Sequence, residues 1–253
     1  MAEMENWIEN ISEPKKLVLA WQAPDHMKDR FRWAVGLLER YDGRETMRYL
    51  DPGAEFEAFN QGRTFEQARS LGYDGYPAFT LRRHLHDEGV ISTFLRRLPP
   101  RNRADFDHYM RQFRFPVGSN PTDFALLGYT EAKLPSDGFS LVDPLDPGVN
   151  ACELMLEVAG YRYYVAGNPI GIGIDHPVDL RAEPHNPHDA GAVSVHVGDR
   201  KIGNINRLQA PTFLAWLKAR RISGTIQRLN GKPDHPRAFL FVRVMPTAKQ
   251  IAA

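Results

Sequence analysis

The stretch GYRYY (160–164) contains residue types that bind single-stranded nucleic acid. It places Arg162 among three tyrosines, Tyr161, Tyr163 and Tyr164. Aromatic faces stack on bases, and a guanidinium donates two parallel hydrogen bonds to a phosphate. Taken alone, the same tyrosines are better explained as core and surface residues of a small barrel. The stretch therefore becomes a candidate site only if other parts of the chain support it.

The segment EPHNPHD (183–189) is the second stretch with possible chemistry. His185 and His188 have a spacing that metal ligands use, and Asp189 follows directly. However, Pro184 and Pro187 prevent a regular helix, and no third ligand occurs at a recognised metal spacing. A rigid turn is therefore favoured over a metal site or a hydrolase loop. In such a turn, Asp189 either presents its carboxylate to a ligand or caps its own backbone.

Two further stretches have weaker functional interpretations. GNPIGIG (167–173) is glycine-rich but lacks the Lys-Ser/Thr that completes a phosphate loop, so a hairpin between barrel strands is favoured. RRLPPRNR (96–103) is basic, and it either grips phosphates or forms a solvated turn after a helix. The turn is favoured, because Asp105 and Asp107 follow immediately.

Composition places the chain among soluble globular proteins. It has 253 residues, of which 42% are hydrophobic and 25% charged, and its only cysteine is Cys152. No run approaches the roughly 18 apolar residues that cross a bilayer, and the first ten residues do not form a secretory signal. We therefore expect a cytoplasmic protein without a disulfide, a cysteine-based zinc site, a cofactor or a membrane partner.

The net charge of +1 conceals an asymmetry between the two halves. Residues 160–253 contain 13 Lys and Arg against 6 Asp and Glu, a net of +7, which leaves 19 basic and 25 acidic residues in 1–159. A basic half indicates an anionic partner. The alternative is that the charges only keep two domains soluble or dock them together.

The first half is expected to be an α+β domain. Strands are predicted at 15–23, 30–39 and 44–51, because these runs are rich in β-branched and aromatic residues. Helical spacing is found at the following positions: 56–70, 79–87, 90–97 and 104–113. A short helix is expected at 120–128, with Pro121 at its first position and Gly128 after its end. The Pro-, Gly- and Asp-rich segment 133–150 is a last strand or loop followed by a linker, and we place the domain boundary near Gly148.

The second half is expected to be mostly strand. CELMLEVAG (152–160) alternates, with Leu154, Leu156 and Val158 on one face, and AVSVHVGD (192–199) alternates in the same way. A helix is predicted at 209–221, because Pro211 suits its first turn and apolar residues follow at helical spacing. Several short strands around one helix indicate a small barrel of the OB or SH3-like type.

Residues 151–246 together resemble a HIRAN domain. The shared pattern is G-x-R-Y-Y, a strand, E-P-x-N-P-x-D-x-x-A-V-x-V, then I-G-x-I-x-R and a helix. The resemblance implies an OB-like barrel that holds the 3′ end of single-stranded DNA. It implies that Arg162 meets phosphate, that Tyr163 stacks on the terminal base, and that Asp189 accepts a hydrogen bond from the 3′-hydroxyl. The candidate DNA-binding residues are Arg162, Tyr163, Tyr164, His188, Asp189, Asn204 and Arg207.

The chain departs from this family pattern at two positions. His188 stands where the best-studied members have Tyr, and Asn204 stands where they have His. A histidine stacks on a base less strongly than a tyrosine does.

Residues 15–144 resemble, more loosely, the small N-terminal subdomain of HipA-type toxin kinases. The matching features are the three strands, the segments STFLRRLPPRNRADFDHYMRQF and PTDFALLG, and GFSLVDP. A phosphate loop, a catalytic Asp-Asn pair and a metal-binding Asp are not found in the sequence, so we expect no phosphoryl transfer.

We therefore predict a HipA-like domain at 1–147 and a HIRAN domain at 148–253. The expected function is non-catalytic recognition of single-stranded DNA, at its 3′ end, in repair or defence. One alternative is a protein-interaction module that contacts a HipA-type kinase through its N-terminal half, with the HIRAN half as a scaffold. A second is a nuclease or hydrolase that uses the histidine-rich loop.

Overall fold

The computed structural model describes residues 6–24, 26–27, 30–134, 137–165 and 171–247. The chain packs into two compact units. The N-terminal unit comprises the described residues within 13–109 and 120–144, and the C-terminal unit those within 1–12, 110–119 and 145–253. Each unit contains an antiparallel sheet and short helices. This confirms a mixed helix-and-sheet protein, while the likeness of the first half to HipA-type kinases stays a prediction.

The sheet of the N-terminal unit has five strands in the order β4-β3-β2-β1-β5. The strands are β1 (Lys16–Gln22), β2 (Arg32–Tyr41), β3 (Arg44–Tyr49), β4 (Leu85–His86) and β5 (Phe139–Val142). The first three lie where the sequence predicts them. Their apolar residues form the core of this unit, with Leu17, Leu19, Trp33 and Leu38 fully buried.

The helices of this part of the chain are short. They are α1 (Ala54–Phe59), α2 (Phe65–Ser70), α3 (Val90–Leu95), α4 (Phe106–Gln112) and α5 (Asp123–Tyr129). The single helix predicted at 56–70 is therefore wrong, because the chain turns at Gly62 and Thr64 starts a new helix by capping the amide of Gln67.

Two other helix predictions need correction. The segment 79–87 is not helical: Tyr49 Oη donates to the carbonyl of Phe79, and His86 pairs with Met47 in the sheet. Helix α5 begins two residues later than predicted, with Thr122 as its cap, and Gly128 lies inside it. A Cβ at Gly128 would lie 2.9 Å from the side chain of Leu17, so this glycine allows the helix to pack closely against β1.

The C-terminal unit is built around a six-stranded antiparallel sheet in the order β6-β11-β10-β7-β8-β9. Its elements are β6 (Cys152–Glu157), α6 (Tyr161–Val165), β7 (Pro177–Ala182), β8 (Val193–Val197), β9 (Arg200–Asn204), α7 (Ala210–Ala219), β10 (Arg220–Lys232) and β11 (His235–Pro246). The alternation expected at 152–158 is confirmed, since Leu154, Leu156 and Val158 are all buried.

The first and last strands of this sheet meet, which closes it into a barrel. Ala159, which lies two residues after β6, and Asn204 of β9 exchange both backbone hydrogen bonds, at 2.8 and 2.9 Å. Gly203 lies at this closure with φ of +153°. A Cβ at Gly203 would overlap Cγ1 of Val158 and lie 2.7 Å from the carbonyl oxygen of Ala159. Only glycine therefore fits where β9 approaches the end of β6.

Two segments from outside 148–253 pack with the barrel. The buried carboxylate of Glu153 accepts the backbone amide of Asn10 at 2.7 Å, and Ile8 is buried. Arg228 of β10 donates to the carbonyl of Gln112 at 3.1 Å. Residues 6–12 and 110–119 therefore pack with the C-terminal unit. The structure divides the chain between the two units at positions that differ from the single boundary predicted near Gly148. Separate folding of the two predicted domains stays a prediction.

The longest helix in the described part of the chain, α7, has 10 residues. None of the described helices reaches the length and apolar character that a membrane span needs.

Candidate nucleic-acid interface

Most of the stretch GYRYY lies in the short helix α6, which follows Gly160. Gly160 reverses the chain after β6 with φ of +76°. Tyr161 then points into the core, being only 9% exposed, whereas Tyr163 is 62% and Tyr164 36% exposed. The helix therefore divides the tyrosines into one that anchors it and two that present their rings to solvent.

Arg162 lies against the more exposed of these rings. Its guanidinium carbon is 4.7 Å from the ring centroid of Tyr163, and its Nη2 is 2.5 Å from the Tyr163 hydroxyl. A cation over an aromatic face is attracted by the ring quadrupole. The pair places a positive charge beside a face on which a base can stack.

Lys201 is a member of the site that the sequence analysis missed. Its Nζ lies 5.1 Å from the ring centroid of Tyr164 and 2.7–2.8 Å from both carboxylate oxygens of Glu183. Asn204 Nδ2 also donates to the Tyr164 hydroxyl, at 3.4 Å. Residues from α6 and β9 therefore meet at the Tyr164 ring, and Lys201 connects them to Glu183 at the start of the 183–192 loop. Nothing in the sequence distinguishes Lys201 from the other surface lysines.

The pKa values of Lys201 and Glu183 are shifted in the directions expected of an ion pair. Burial disfavours both charges and is the largest single effect on Lys201. The hydrogen bonds and charge interactions with Glu183 and Tyr164 together outweigh it, so the pKa of Lys201 is raised. For Glu183, burial is again the largest single effect, but the hydrogen bonds from Lys201, Asn186 and Ser194 and the positive charge of Lys201 together hold its pKa below the ordinary 4.5. Both groups are charged at neutral pH, and the pair ties the 183–192 loop to the barrel.

Asn186 organises the loop 183–192. Its Nδ2 donates to Glu183 Oε2 at 2.7 Å, and its Oδ1 accepts the amides of His188 and Asp189 at 2.9 and 3.3 Å. The Glu183 amide and the Ala192 carbonyl close the loop at 3.0 Å. The side chain of Asn186 thus supplies an acceptor for two backbone amides of the loop, as asparagine does in Asx turns.

Asp189 caps its own turn in this loop. Its Oδ1 accepts the amide of Gly191 at 2.8 Å, and the residue is half-buried. The sequence allowed two roles for Asp189, contact with a ligand or capping of its own turn. This hydrogen bond is the capping contact. Recognition of a 3′-hydroxyl by Asp189 stays a prediction, as does stacking by His188, which is exposed.

A continuous series of contacts joins six of the residues discussed. It runs from Asn204 and Tyr164 through Lys201 and Glu183 to Asn186, whose amide positions Asp189. Arg207 lies half-buried in the turn between β9 and α7.

Two other candidates from the sequence are a metal site and a glycine-rich hairpin. Within the described residues, no three His, Cys, Asp or Glu side chains are close enough to hold a metal ion. Most of the predicted hairpin at 167–173 lies outside the described residues.

The basic stretch at 96–103 is extensively paired with carboxylates. Arg97 contacts Asp137, Arg101 contacts Asp123 at 2.8 Å, and Arg103 contacts Asp105 at 2.6 Å. These three arginines therefore hold the chain together locally, and their charge is largely compensated.

No protein-family model and no curated protein matches the chain. Among solved structures, the chain is similar to the HIRAN domain of human HLTF, with 22% identity and a TM-score of 0.31. This match covers 38% of the present chain and 78% of the HLTF domain chain. A protein from Lactobacillus plantarum matches with 25% identity and a TM-score of 0.26, over 37% of the present chain and 96% of the other.

Proposed function

We propose that the C-terminal unit binds single-stranded DNA at a free 3′ end and that the protein performs no catalysis of its own. The observation that carries this proposal is the arrangement at α6. Two exposed tyrosine rings each lie beside a cation, and the cation at Tyr164, Lys201, is paired with Glu183 at the start of the loop that contains Asp189. Stacked bases need exposed aromatic faces, and the neighbouring phosphates need positive charge.

The net charge of the second half supports the same proposal. Residues 160–253 carry a net charge of +7 in a chain whose total is +1. A strand bound through phosphates releases counterions, so its affinity must fall as salt is added. A duplex buries its base faces in its own stack, so it cannot use the tyrosine rings in this way.

The test compares single-stranded and blunt duplex DNA binding to the full-length chain. The expected result is tighter binding of the single strand, with a loss of about five- to a hundredfold in Tyr163→Ala, because one stacked base is worth about 1–3 kcal/mol. Leu229→Ala is the matched control, since Leu229 is an exposed apolar residue of β10. Equal affinity for both DNA forms, or no effect of Tyr163→Ala, would show that this surface does not bind single strands.

A further inference from the structure

The outer face of β7 and β8 carries an arginine and a histidine in contact with each other. Arg181 Nη1 lies 3.4 Å from Nδ1 of His196, and Arg181 Nη2 donates to the Gly198 carbonyl at 3.1 Å and to Asp179 at 3.2 Å. Because arginine has no acceptor, Nδ1 of His196 must be the unprotonated nitrogen in this arrangement.

The strand register connects this pair to the candidate interface. His196 pairs with Lys201 of β9 on one side and with Asp179 of β7 on the other. Neighbouring strands are about 4.8 Å apart. In the Arg181–His196 pair, His196 therefore lies one strand away from Lys201, whose Nζ is next to the Tyr164 ring.

The groups around His196 come from three strands. Asp179 and Arg181 belong to β7, and Glu183 follows it. On β8, the strand of His196 itself, Ser194 Oγ lies 3.0 Å from His196 Nε2. Lys201 of β9 and the backbone of Asp199, which precedes β9, lie on the other side. Burial, followed by the positive charge of Arg181, lowers the pKa of His196 below 6.5. The ring is therefore neutral at pH 7, and Arg181 supplies the charge.

Arg181 is accessible to an anion. Its side chain is 45% exposed, and that of its ion-pair partner Asp179 is 66% exposed. Exposed pairs of this kind contribute little, so a phosphate can replace Asp179 at the guanidinium. A phosphate between Arg181 and His196 would accept hydrogen bonds from both only if Nδ1 carried a proton.

We propose that Arg181 and His196 form a second phosphate-binding subsite, which holds the backbone of the single strand away from its terminal base. His196 takes up one proton from solvent at Nδ1 when the phosphate binds. This inference rests on the proposed function, because the subsite extends the surface that begins at Tyr163 and Tyr164.

The first experiment measures the affinity of the full-length chain for a single-stranded thymidine oligonucleotide as a function of salt. Arg181→Gln is expected to lower the slope of log affinity against log salt by about 0.7, the value for one phosphate contact on a single strand. Lys232→Gln removes one positive charge at the exposed end of the β10–β11 hairpin and is expected to keep the wild-type slope.

The second experiment measures the same affinity between about pH 8 and pH 6. The wild type is expected to bind more tightly as the pH falls, because a phosphate stabilises protonated His196. His196→Gln should lose most of this gain, whereas His185→Gln, which alters an exposed histidine of the 183–192 loop, should retain it.

The outcomes separate the two proposals. If the wild type does not bind single strands, the proposed function fails and the subsite fails with it. If the wild type binds but Arg181→Gln keeps the slope, or Lys232→Gln lowers it equally, only the subsite is wrong. An unchanged pH dependence in His196→Gln overturns the proton uptake.

Discussion

Replacing Asp189 by asparagine separates its two roles. The side chain accepts the amide of Gly191 through Oδ1, at 2.8 Å. Asparagine retains a carbonyl oxygen for this bond but puts an NH2 group in place of Oδ2, and it loses the negative charge. Alanine removes the turn contact and the carboxylate together. The two variants should therefore differ in stability but agree in how they treat a DNA end.

The expected magnitudes follow from the bonds involved. A hydrogen bond from a 3′-hydroxyl to a carboxylate contributes about 1.5–3 kcal/mol, which is roughly ten- to a hundredfold in affinity. Both variants should lose most of this preference for a 3′-hydroxyl over a 3′-phosphate. The free energy of unfolding should fall by about 0.5–1.5 kcal/mol in Asp189→Ala and by less in Asp189→Asn.

The assay is a competition titration of oligonucleotides that end in a 3′-hydroxyl or a 3′-phosphate. Urea unfolding followed by circular dichroism gives the stability of each variant. Asp234→Asn removes the same charge at the β10–β11 turn and should leave the end preference unchanged. If Asp189→Asn keeps the preference, or the wild type has none, Asp189 is a turn residue only and the end-reading mechanism is wrong.

Two further predictions concern the barrel and its loop. Gly203→Ala should lower the free energy of unfolding by about 3 kcal/mol, because the new Cβ overlaps Val158 after β6 and the residue has an unfavourable φ. The measurement is urea unfolding, with Gly171→Ala as the control because a Cβ at Gly171 faces open space. Equal unfolding midpoints for the two variants would contradict this reasoning. Glu183→Gln should cost on the order of 1 kcal/mol at pH 7. Because the pKa of Glu183 is lowered on folding, its stabilisation is complete above about pH 4.5 and is lost as the pH falls through the folded-state value. Stability measured from pH 7 to pH 3 should therefore fall more steeply in the wild type than in Glu183→Gln, and parallel curves would show that the ion pair does not stabilise the fold.

The positions of several strands were predictable from the sequence, because alternation of apolar and polar residues indicates which side chains face the core. Leu154, Leu156 and Val158 alternate in the sequence and are buried in the structure. The same signal fails where tertiary contacts decide the conformation. The segment 79–87 has helical spacing, but the hydroxyl of Tyr49, distant in sequence, binds the Phe79 carbonyl and accepts the Tyr76 amide. Periodicity carries no information about such a partner.

The candidate site was predictable in its residue types but not in its contacts. Tyr164, Asn204 and Asp189 belong to one series of contacts, in which Lys201 was missed. Its position depends on an irregular register, in which consecutive residues Val195 and His196 of β8 pair with Gly203 and Lys201 of β9. One extra residue on β9 therefore places Lys201 beside His196, and a bulge of this kind leaves no mark in an alternating sequence.

The seam that closes the barrel also assembles the candidate site. Ala159 and Asn204 exchange their backbone hydrogen bonds immediately before Gly160 starts the turn into α6. The side chain of Asn204 then meets Tyr164, which lies over Lys201. Opening the seam at Gly203 must therefore displace the tyrosines, so Gly203→Ala should lose single-strand affinity together with stability. Asp189→Asn should lose end preference while stability is nearly retained, because its turn contact survives. The first variant tests whether closure of the barrel positions the binding surface, and the second tests which atom of that surface meets the DNA end.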